Sequence, residues 1–520
     1  MAWHDVPTIE IVMGKNGLMA RRNQNLVPIG AYKTLRNATL EDDSLRTAAG
    51  ATALGSSVGA VALGAGIDYW PDVATQRTVV FDATNGTIQK DDGLGGSWAS
   101  LVSGLTTSGA VPQFVIGGQE LAGLEKKLFY CDRVNAVRVL KSDAAAMSTL
   151  ALPPLDWTGS QQPAWMCQHE RWVFGGGNLN APKTVYRCKG DEHENWRDFA
   201  WTYLVTGDYE RLVAARSYKG GLLLWGYPEG AWFLDTSSDD DKAWRAVKVG
   251  TSGASGPENS AQIEDDVLWV APDGSLHLIS ATNATGSARA SDISYEALGA
   301  FIPSNINVAQ LATAQLIYYQ NKQKALLACH GRGGTAKNRA IEWDVAKVRE
   351  LGGRFIYHDR HRNESLFLRK VSGVATPHFG DAAGQVWTMD RPTRSDDGTG
   401  YTLEWALTDE DFARIYPGWA GKKKNGRFIQ LEYDPRSTAT HTIQAIRDGR
   451  HTQNIPFDLA SEPGALPQTL SFTLGEAILT PTRPKRLLGQ ARRWGFKGTS
   501  SGAGKDISLT KLILGLELAE

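Results

Sequence analysis

The sequence predicts an all-β protein: a β-propeller of about seven blades with a C-terminal β-sandwich-like domain. Strands rich in β-branched and aromatic residues run in pairs through tight polar turns. One such strand, Arg77–Asp82, passes through Asn85-Gly86 into residues 87–90. Such pairs recur roughly every 45–60 residues, which is the spacing of propeller blades. The 55 glycines and 17 tryptophans suit a turn-rich β protein with aromatic packing between sheets.

The first 55 residues differ in pattern from the rest of the chain. Residues 26–31 (LVPIGA) and 35–40 (LRNATL) are short apolar segments, and a polar stretch at 41–44 (EDDS) comes after them. We therefore predict that residues 1–55 form an extended N-terminal arm that leads into the first strands.

The propeller is predicted to occupy residues 56–395, where seven strand pairs follow one another. They lie at 77–90, 127–140, 165–188, 212–235, 263–279, 315–344 and 376–390. Asn85-Gly86, Asp273-Gly274 and the turn before Gln385 supply the positive φ angles that two-residue hairpin turns need. A blade has four strands, so we expect the two less regular strands of each blade outside these pairs.

Beyond a linker at 391–400 (RPTRSDDGTG), the strands become longer and alternate more strictly between apolar and polar residues. Examples are residues 428–433, 442–447 and 507–517. Such alternation is typical of a sheet with one buried face. We predict a separate C-terminal β domain at residues 396–520.

Composition limits the classes of function. The 55 basic and 56 acidic residues give a net charge of -1, whereas proteins that grip nucleic acid usually carry a basic excess. Passage of DNA through a pore needs only weak contact and stays possible. The most apolar stretch, 55–66, is too short to span a bilayer, and the N-terminus does not resemble a signal peptide. We expect synthesis in the cytoplasm.

Cysteines and histidines do not form a recognisable metal or disulfide pattern. The four cysteines, Cys131, Cys167, Cys188 and Cys329, are too few and too dispersed for a disulfide framework. Three of them lie inside strand patterns, so we predict that they are small buried hydrophobic residues. His358 and His361 are three residues apart, but the segment lacks a helical pattern, and zinc sites normally have several matched ligands.

Four further polar clusters are predicted to be solvated loops or turns. They are Asp191-Glu192-His193-Glu194, the acidic runs Asp239-Asp240-Asp241 and Glu264-Asp265-Asp266, and Lys422-Lys423-Lys424. The turn from Asp91 to Trp98 is similar to the Asp-box turn of sialidase propellers, but its spacing is too long and no second copy is present, so we interpret it as a chance match. Paired carboxylates can hydrolyse glycosides, and acidic runs that faced a channel would repel DNA phosphate. We predict no catalytic, cofactor-binding or metal-binding residue, no cofactor, and a protein that is not an enzyme.

Several segments together resemble one family. Residues 25–51 (NLVPIGAYKTLRNATLEDDSLRTAAGA) are similar to the N-terminal arm of phage tail-hub and head–tail connector propeller proteins, a group that includes packaged-DNA stabilisation proteins and tail nozzles. Residues 186–199 (YRCKGDEHENWRDF), 213–234 and 253–279 resemble blades of that group, and 378–390 (HFGDAAGQVWTMD) resembles its closing blade. The resemblance covers most of residues 20–450 and rests on the order of strands and turns.

This resemblance implies a bacteriophage virion structural protein in the tail or connector. It implies a homo-oligomeric ring, commonly a hexamer, that contacts the portal or adaptor and other tail proteins. DNA would pass through the lumen without sequence-specific binding. In such a ring we expect the acidic loops to face the lumen and residues 1–50 to latch an adjacent subunit.

Two alternatives remain open. A phage propeller enzyme that degrades host polysaccharide would need a pair of carboxylates at the mouth of the propeller. A tail-tip receptor-binding protein would be favoured by a trimeric state and by direct binding to host cells. Oligomeric mass or electron microscopy of the purified particle distinguishes these alternatives from the ring.

Overall fold

The computed structural model of the 520-residue chain describes most of its residues. The described residues are 6–19, 27–41, 43–93, 96–118, 126–190, 192–197, 201–205, 207–238, 240–281, 288–345, 354–359, 363–396, 398–434, 436–459, 480–501 and 504–519.

The N-terminal residues form strands. In chain order these are β1 (Thr8–Val12), β2 (Tyr32–Arg36), β3 (Ala38–Glu41), β4 (Ser44–Thr47) and β5 (Gly50–Ala53). All five belong to sheets that include strands from much later in the chain. The described part of residues 1–55 therefore pairs with later strands of the same chain.

Five four-stranded antiparallel sheets come next, each made from four consecutive strands. Their strands are β6 (Leu63–Tyr69), β7 (Arg77–Asp82), β8 (Thr87–Asp91) and β9 (Trp98–Val102); β10 (Gln113–Gly117), β11 (Lys127–Cys131), β12 (Arg138–Lys141) and β13 (Ser148–Thr149); β14 (Trp165–His169), β15 (Trp172–Gly176), β16 (Thr184–Arg187) and β17 (Trp201–Leu204); β18 (Arg211–Tyr218), β19 (Gly221–Tyr227), β20 (Glu229–Asp235) and β21 (Arg245–Ser252); β22 (Ser260–Ile263), β23 (Asp266–Val270), β24 (Leu276–Ala281) and β25 (Ala288–Asp292). Consecutive four-stranded sheets of this kind are propeller blades.

Two short helices, α1 (Tyr295–Leu298) and α2 (Ile302–Asn305), precede the next strands. These strands are β26 (Gln315–Tyr319), β27 (Lys324–Cys329), β28 (Arg339–Asp344), β29 (Arg354–His358), β30 (Ser365–Val371), β31 (Val374–Gly380), β32 (Val386–Arg391), β33 (Ser395–Asp396) and β34 (Thr399–Gly400). The sheet β30-β31-β32 continues into β5, β33 and β34, so a strand from the N-terminal region completes this blade. Among the described helices, none is long and apolar enough to cross a bilayer.

The C-terminal strands complete two larger sheets. They are β35 (Glu404–Leu407), β36 (Lys424–Asp434), β37 (Ala439–Arg447), β38 (Arg450–Leu459), β39 (Thr480–Pro481), β40 (Lys485–Arg486), β41 (Gln490–Ala491), β42 (Trp494–Ser501) and β43 (Ser508–Leu518). One sheet has nine strands in the order β26-β27-β28-β29-β2-β35-β42-β37-β38. The other has eight strands along β3-β4-β43-β36-β39, with β1 on β43 and β40 and β41 on β36.

These two sheets share one hydrophobic core. Ile443 and Trp405 from the nine-stranded sheet and Ile429 and Leu512 from the eight-stranded sheet are buried in the same cluster. Strand pairing crosses both predicted domain boundaries, because β5 pairs with β32 and β2 lies between β29 and β35. The division into 1–55, 56–395 and 396–520 stays a prediction.

The first strands of the blades form a closed ring. β6, β10, β14, β18, β22, β26 and β30 contact one another in chain order, and β30 contacts β6. An all-β propeller is therefore confirmed. Six blades are sheets of their own, whereas β26–β29 are one end of the nine-stranded sheet.

The hairpin turns are longer than the predicted two-residue turns. β7 ends at Asp82 and β8 begins at Thr87, so four residues connect them. Gly86 has a φ of 65°, and a Cβ there would lie 1.9 Å from the carbonyl oxygen of Leu105. Asn85 has no positive φ. The prediction that both turn residues adopt positive φ is wrong at this turn, because a side chain holds the loop instead.

That side chain is Asp82, which is buried. Its Oδ1 accepts hydrogen bonds from the backbone N–H groups of Thr84 (2.8 Å) and Asn85 (2.9 Å), and its Oδ2 accepts one from the Asn85 side chain. Asp132 occupies the same place in the next blade and makes the same three bonds with residues 134 and 135. A carboxylate that accepts two loop amides is an Asx-type cap.

Candidate functional site

The first strands surround a central cavity of about 480 Å³. Polar side chains from several strands converge on it, among them Gln168, Arg216, Glu258 and Gln262. A concave site with a few convergent polar groups is the usual place for ligand binding in a fold of this kind. We therefore treat this cavity, the central channel of the propeller, as the first candidate site.

An arginine connects two blades across the channel wall. Arg216 on β18 donates from Nε to the backbone oxygen and Oγ of Ser260 on β22, at 3.1 and 3.0 Å. Its Nη2 lies 3.2 Å from Oε2 of Glu258, and both side chains keep a little more than a quarter of their surface exposed. In this ion pair, the positive charge of Arg216 and the negative charge of Glu258 neutralise each other within the channel wall.

Two buried glutamines connect other blades in a similar way. Gln113 Oε1 on β10 accepts a hydrogen bond from the backbone N–H of Met166 on β14, at 2.9 Å. Gln315 Oε1 on β26 accepts one from Leu366 on β30, at 2.7 Å. Cys167 also lines the cavity, and burial raises the pKa of its thiol to about 11, so the thiol stays protonated near neutral pH. The hydrogen bonds described in the channel wall thus mainly connect one blade to its neighbour.

A second polar feature is a buried ion cluster where the propeller meets the N-terminal strands. Lys324 Nζ on β27 lies 2.6 Å from Glu342 Oε1 on β28 and donates to Thr39 Oγ1 on β3 at 2.7 Å. A ring nitrogen of His358 lies 3.2 Å from the other oxygen of Glu342. Burial opposes both charges, but the ion pair outweighs it: the pKa of Glu342 falls well below its usual value and the pKa of Lys324 rises.

A half-buried group of charges adjoins this ion cluster. Lys322 Nζ lies 2.5 Å from Asp390 Oδ1, and the Tyr319 hydroxyl donates to Asp390 Oδ2 at 2.8 Å. Lys322 is also 4.0 Å from Glu41 on β3. Burial and the nearby carboxylate raise the pKa of Tyr319. These contacts connect strands of two blades to β3. Their role is therefore structural, because they hold the propeller to the N-terminal strands.

The structure places His358 in the ion cluster, where its neighbour is a carboxylate. Asp359 lies 3.4 Å from the Arg36 guanidinium. The other two residues of the motif, Arg360 and His361, lie outside the described residues.

The polar loop after β16 is held by separate contacts. Its four candidate ligands are Asp191, Glu192, His193 and Glu194. Glu194 Oε1 accepts from Lys127 and Lys141 at 2.7 and 2.9 Å, which lowers the pKa of this carboxyl against the effect of burial. His193 Nε2 lies 2.8 Å from a backbone carbonyl oxygen, and Glu192 pairs with a nearby lysine. Asp191 lies outside the described residues.

The described residues of the two acidic runs do not line the channel cavity. Glu264 adjoins it, because the hydroxyl of Tyr318, which lines the cavity, donates to Glu264 Oε1 at 3.4 Å. Asp240 accepts the backbone N–H of Lys242, and Asp239 lies outside the described residues. In the second run, burial raises the pKa of Asp266 to about 6, although it accepts the backbone N–H of Val267 at 2.8 Å. Whether these runs face the lumen of a ring stays a prediction.

The remaining two clusters differ in their exposure. Asp92 accepts hydrogen bonds from the backbone of Gly96 and the hydroxyl of Ser97, which makes a compact surface turn. Lys422 and Lys423 are exposed as predicted. Lys424 is buried and donates to two backbone carbonyl oxygens at 3.0 and 3.3 Å, so the prediction of a solvated turn is wrong for this residue.

All four cysteines are free and buried, and three lie in strands, as predicted. Among the described residues, no group of three or more histidine, cysteine or acidic side chains is placed to hold a metal ion.

Sequence reasoning missed the ion cluster and the inter-blade contacts. A signal was present for one member of the ion cluster, because Glu342 is a single charge inside the apolar strand segment AIEW. A charged residue at such a position is almost never buried unless it is paired. The repeated spacing of Asp82 to Asn85 and Asp132 to Asn135 was likewise visible.

No protein-family model matches the chain, and no curated protein sequence is significantly similar to it. Among solved structures, the computationally designed protein Ika8 is 13% identical over 65% of this chain and 99% of its own, with a TM-score of 0.36. PorZ of Porphyromonas gingivalis, a bacterial surface component of the type-IX secretion system, is 10% identical over 68% of this chain and 44% of its own, with a TM-score of 0.36. YCF48, solved with a D1 peptide, is 10% identical over 64% and 93%, with a TM-score of 0.38. Similarity at this level carries no argument about function, and the propeller stands on its strand pairing.

Proposed function

We propose that this chain is a structural subunit of a bacteriophage virion, in the tail hub, nozzle or head–tail connector, and that copies of it form a ring around the DNA channel. Two kinds of support exist. Residues 25–51 and the order of blades resemble the connector propellers. The protein also holds its parts together in a way that suits a rigid building block.

The observation that carries the mechanical role is the closure of the chain on itself. β5 completes the sheet of β30–β32, and β1 near the N-terminus pairs with β43 near the C-terminus. Inter-blade bonds such as those of Arg216 and Gln315 add to this closure. A subunit whose terminal strands pair with distant strands keeps its blades in place under load. Identical subunits of this kind assemble through surface contacts into cyclic rings.

Within this proposal, the propeller has seven blades and the C-terminal strands form a sandwich. The seventh blade is β26–β29, whose first strand lies between β22 and β30 in the closed ring of first strands and lines the same cavity. Its sheet continues into the C-terminal strands. This shared sheet would fix the sandwich rigidly relative to the propeller, which suits a subunit that positions its neighbours.

The test is the mass and symmetry of the purified protein. Native mass spectrometry is expected to give a closed oligomer of defined copy number, and electron microscopy is expected to show a ring with a continuous lumen wide enough for duplex DNA. A monomer at every concentration that stays soluble would overturn the proposal. Release of sugars from host capsule, or a trimer that binds host cells, would instead support the enzyme or the receptor-binding alternative.

A further inference from the structure

A cluster of basic residues lies on the surface of the C-terminal sheets. We call it the basic surface and define it by Arg447, Arg450, Lys485, Arg486, Arg492 and Arg493. All of these residues are exposed except Arg447, which is half-buried. They come from two separate segments, the β37–β38 hairpin and the stretch from β40 to β42.

Hydrogen bonds bring the two segments together. Gln453 on β38 donates from its side chain to the Arg486 carbonyl oxygen at 2.9 Å and accepts from the Leu488 N–H at 3.0 Å. Asp448 in the hairpin accepts the backbone N–H groups of Arg492 and Arg493 at 3.0 and 2.8 Å. The two segments that carry the basic residues are therefore held next to one another by their backbone.

The charge of the basic surface is largely uncompensated. None of its six residues has an ion-pair partner within the described parts of the chain, whereas Arg46, Arg77 and Lys127 elsewhere are paired. The nearby carboxylates, Asp448 and Glu410, offset only part of this charge, and Glu410 is itself paired with Arg414. The net charge of the whole chain is nevertheless -1, because acidic residues elsewhere balance the positive charge of the basic surface.

We propose that the basic surface binds the phosphate backbone of duplex DNA. Five of its six residues are arginines, and a guanidinium matches a phosphate with two parallel hydrogen bonds. An acidic protein partner fits less well, because protein interfaces have an apolar core depleted of charge, and Leu488 is the large apolar residue exposed beside this surface. Bases of a single strand would need aromatic stacking platforms, which the defining residues do not supply.

Recognition of this kind is independent of sequence and depends strongly on salt. The inference rests on the proposed function for its biological setting, since it assigns a DNA-contacting surface to a subunit proposed to surround DNA. Binding itself requires only one folded chain. The two proposals can therefore fail separately.

The experiment measures binding of a fluorescent 30-base-pair duplex, about three helical turns, by anisotropy at several KCl concentrations. The triple variant Arg486→Glu, Arg492→Glu and Arg493→Glu is compared with the native full chain. We expect at least a tenfold loss of affinity at low salt. The slope of log affinity against log salt should become shallower by roughly 0.9 for each lost phosphate contact.

A matched variant reverses three exposed lysines of the propeller: Lys219→Glu, Lys242→Glu and Lys248→Glu. It changes the net charge equally and should bind DNA nearly as the native chain does. Circular dichroism and thermal unfolding check that both variants fold. If the native chain does not bind, or if both triple variants bind equally, the proposal is overturned.

Two further measurements identify the partner and separate the proposals. Polyglutamate that displaces DNA at equal charge concentration would indicate an acidic protein partner and would contradict the DNA proposal. Native mass spectrometry of the same samples records the oligomer. A ring without DNA binding contradicts only the basic surface, and DNA binding by a monomer contradicts only the ring.

Discussion

At the scale of single residues, buried charges are the groups most sensitive to change. Lys324 and Glu342 keep about a tenth of their side-chain surface exposed and lie 2.6 Å apart. A buried pair of this kind adds little over an apolar pair, yet loss of one partner is costly. By contrast, an exposed pair such as Lys189 with Glu192 contributes little to stability, because solvent screens it.

We expect Glu342→Gln to lower the free energy of unfolding by about 3–5 kcal/mol at pH 7, since it leaves the Lys324 ammonium buried without a counter-charge. The folded-state pKa of Glu342 is depressed. Its contribution is therefore complete above the unfolded-state value of about 4.3 and is lost as pH falls through the folded-state value. Urea unfolding at pH 7 and at several values below 4.3 should show a weaker pH dependence in the variant.

Two controls accompany this prediction. Glu210→Gln removes an exposed carboxylate and should leave stability almost unchanged. The double variant Lys324→Met with Glu342→Leu removes both charges and should recover much of the loss. Glu342→Gln with native stability would mean that water reaches the ion cluster.

At the scale of elements, the blade β30–β32 depends on a strand from the other end of the propeller sequence. β5 pairs antiparallel with β32, with Thr52 opposite Thr388, and the Leu54 N–H donates to the Val386 carbonyl oxygen at 2.7 Å. Thr52 lies two residues before that bonded pair. Antiparallel pairs two residues apart bond in the same way, so the N–H of Thr52 points towards β32.

Thr52→Pro should open this blade, because proline removes the N–H and is not tolerated inside a sheet. Hydrogen exchange should become faster in β5 and β32, while blades on the far side of the ring, such as β14–β17, change little. Thr52→Val keeps both the backbone N–H and the branched shape and serves as the control. Unchanged exchange in β32 after the proline substitution would show that β5 does not hold this blade together.

At the scale of the whole molecule, the two ends of the described chain meet in one sheet. β1 pairs with β43 over five residues, from Thr8 opposite Gly515 to Val12 opposite Lys511. Ile9 and Ile11 are 2% and 4% exposed and belong to the core shared by the two large sheets, whereas Thr8 and Glu10 face outward. The first strand therefore covers both the core and the edge of β43.

We expect Ile11→Ala to lower the free energy of unfolding by about 2–5 kcal/mol, the usual cost of emptying a buried isoleucine site. Urea unfolding measures this effect. Glu10→Ala, on the outward face, is the matched control, and an isoleucine variant as stable as this control would contradict the prediction.

Deletion of residues 1–12 should also expose the edge of β43 and cause association, because open edges pair with other strands. Light scattering measures this association.

Much of the architecture was predictable from local patterns. The β7 and β8 strands begin at the predicted residues, because alternation and a tight turn are properties of about fifteen neighbouring residues. The burial of Cys131, Cys167 and Cys329 followed from their apolar neighbours. The cap at Asp82 was missed because the positive φ angles of Asn85 and Gly86 were taken to form the turn, and the cap at Asp132 was missed because its turn contains no glycine.

The sequence by itself thus determined that the protein is all-β, that its strands come in repeated pairs, and roughly where those pairs lie. Only the tertiary structure decided which distant strands pair, as β1 does with β43, β2 with β35 and β5 with β32. It also decided that Lys324 meets Glu342 and that arginines from two segments share one surface. The physical reason is that local pattern sets the conformation of a strand. Its partner is selected by packing and by the closure of long loops, which no short segment encodes.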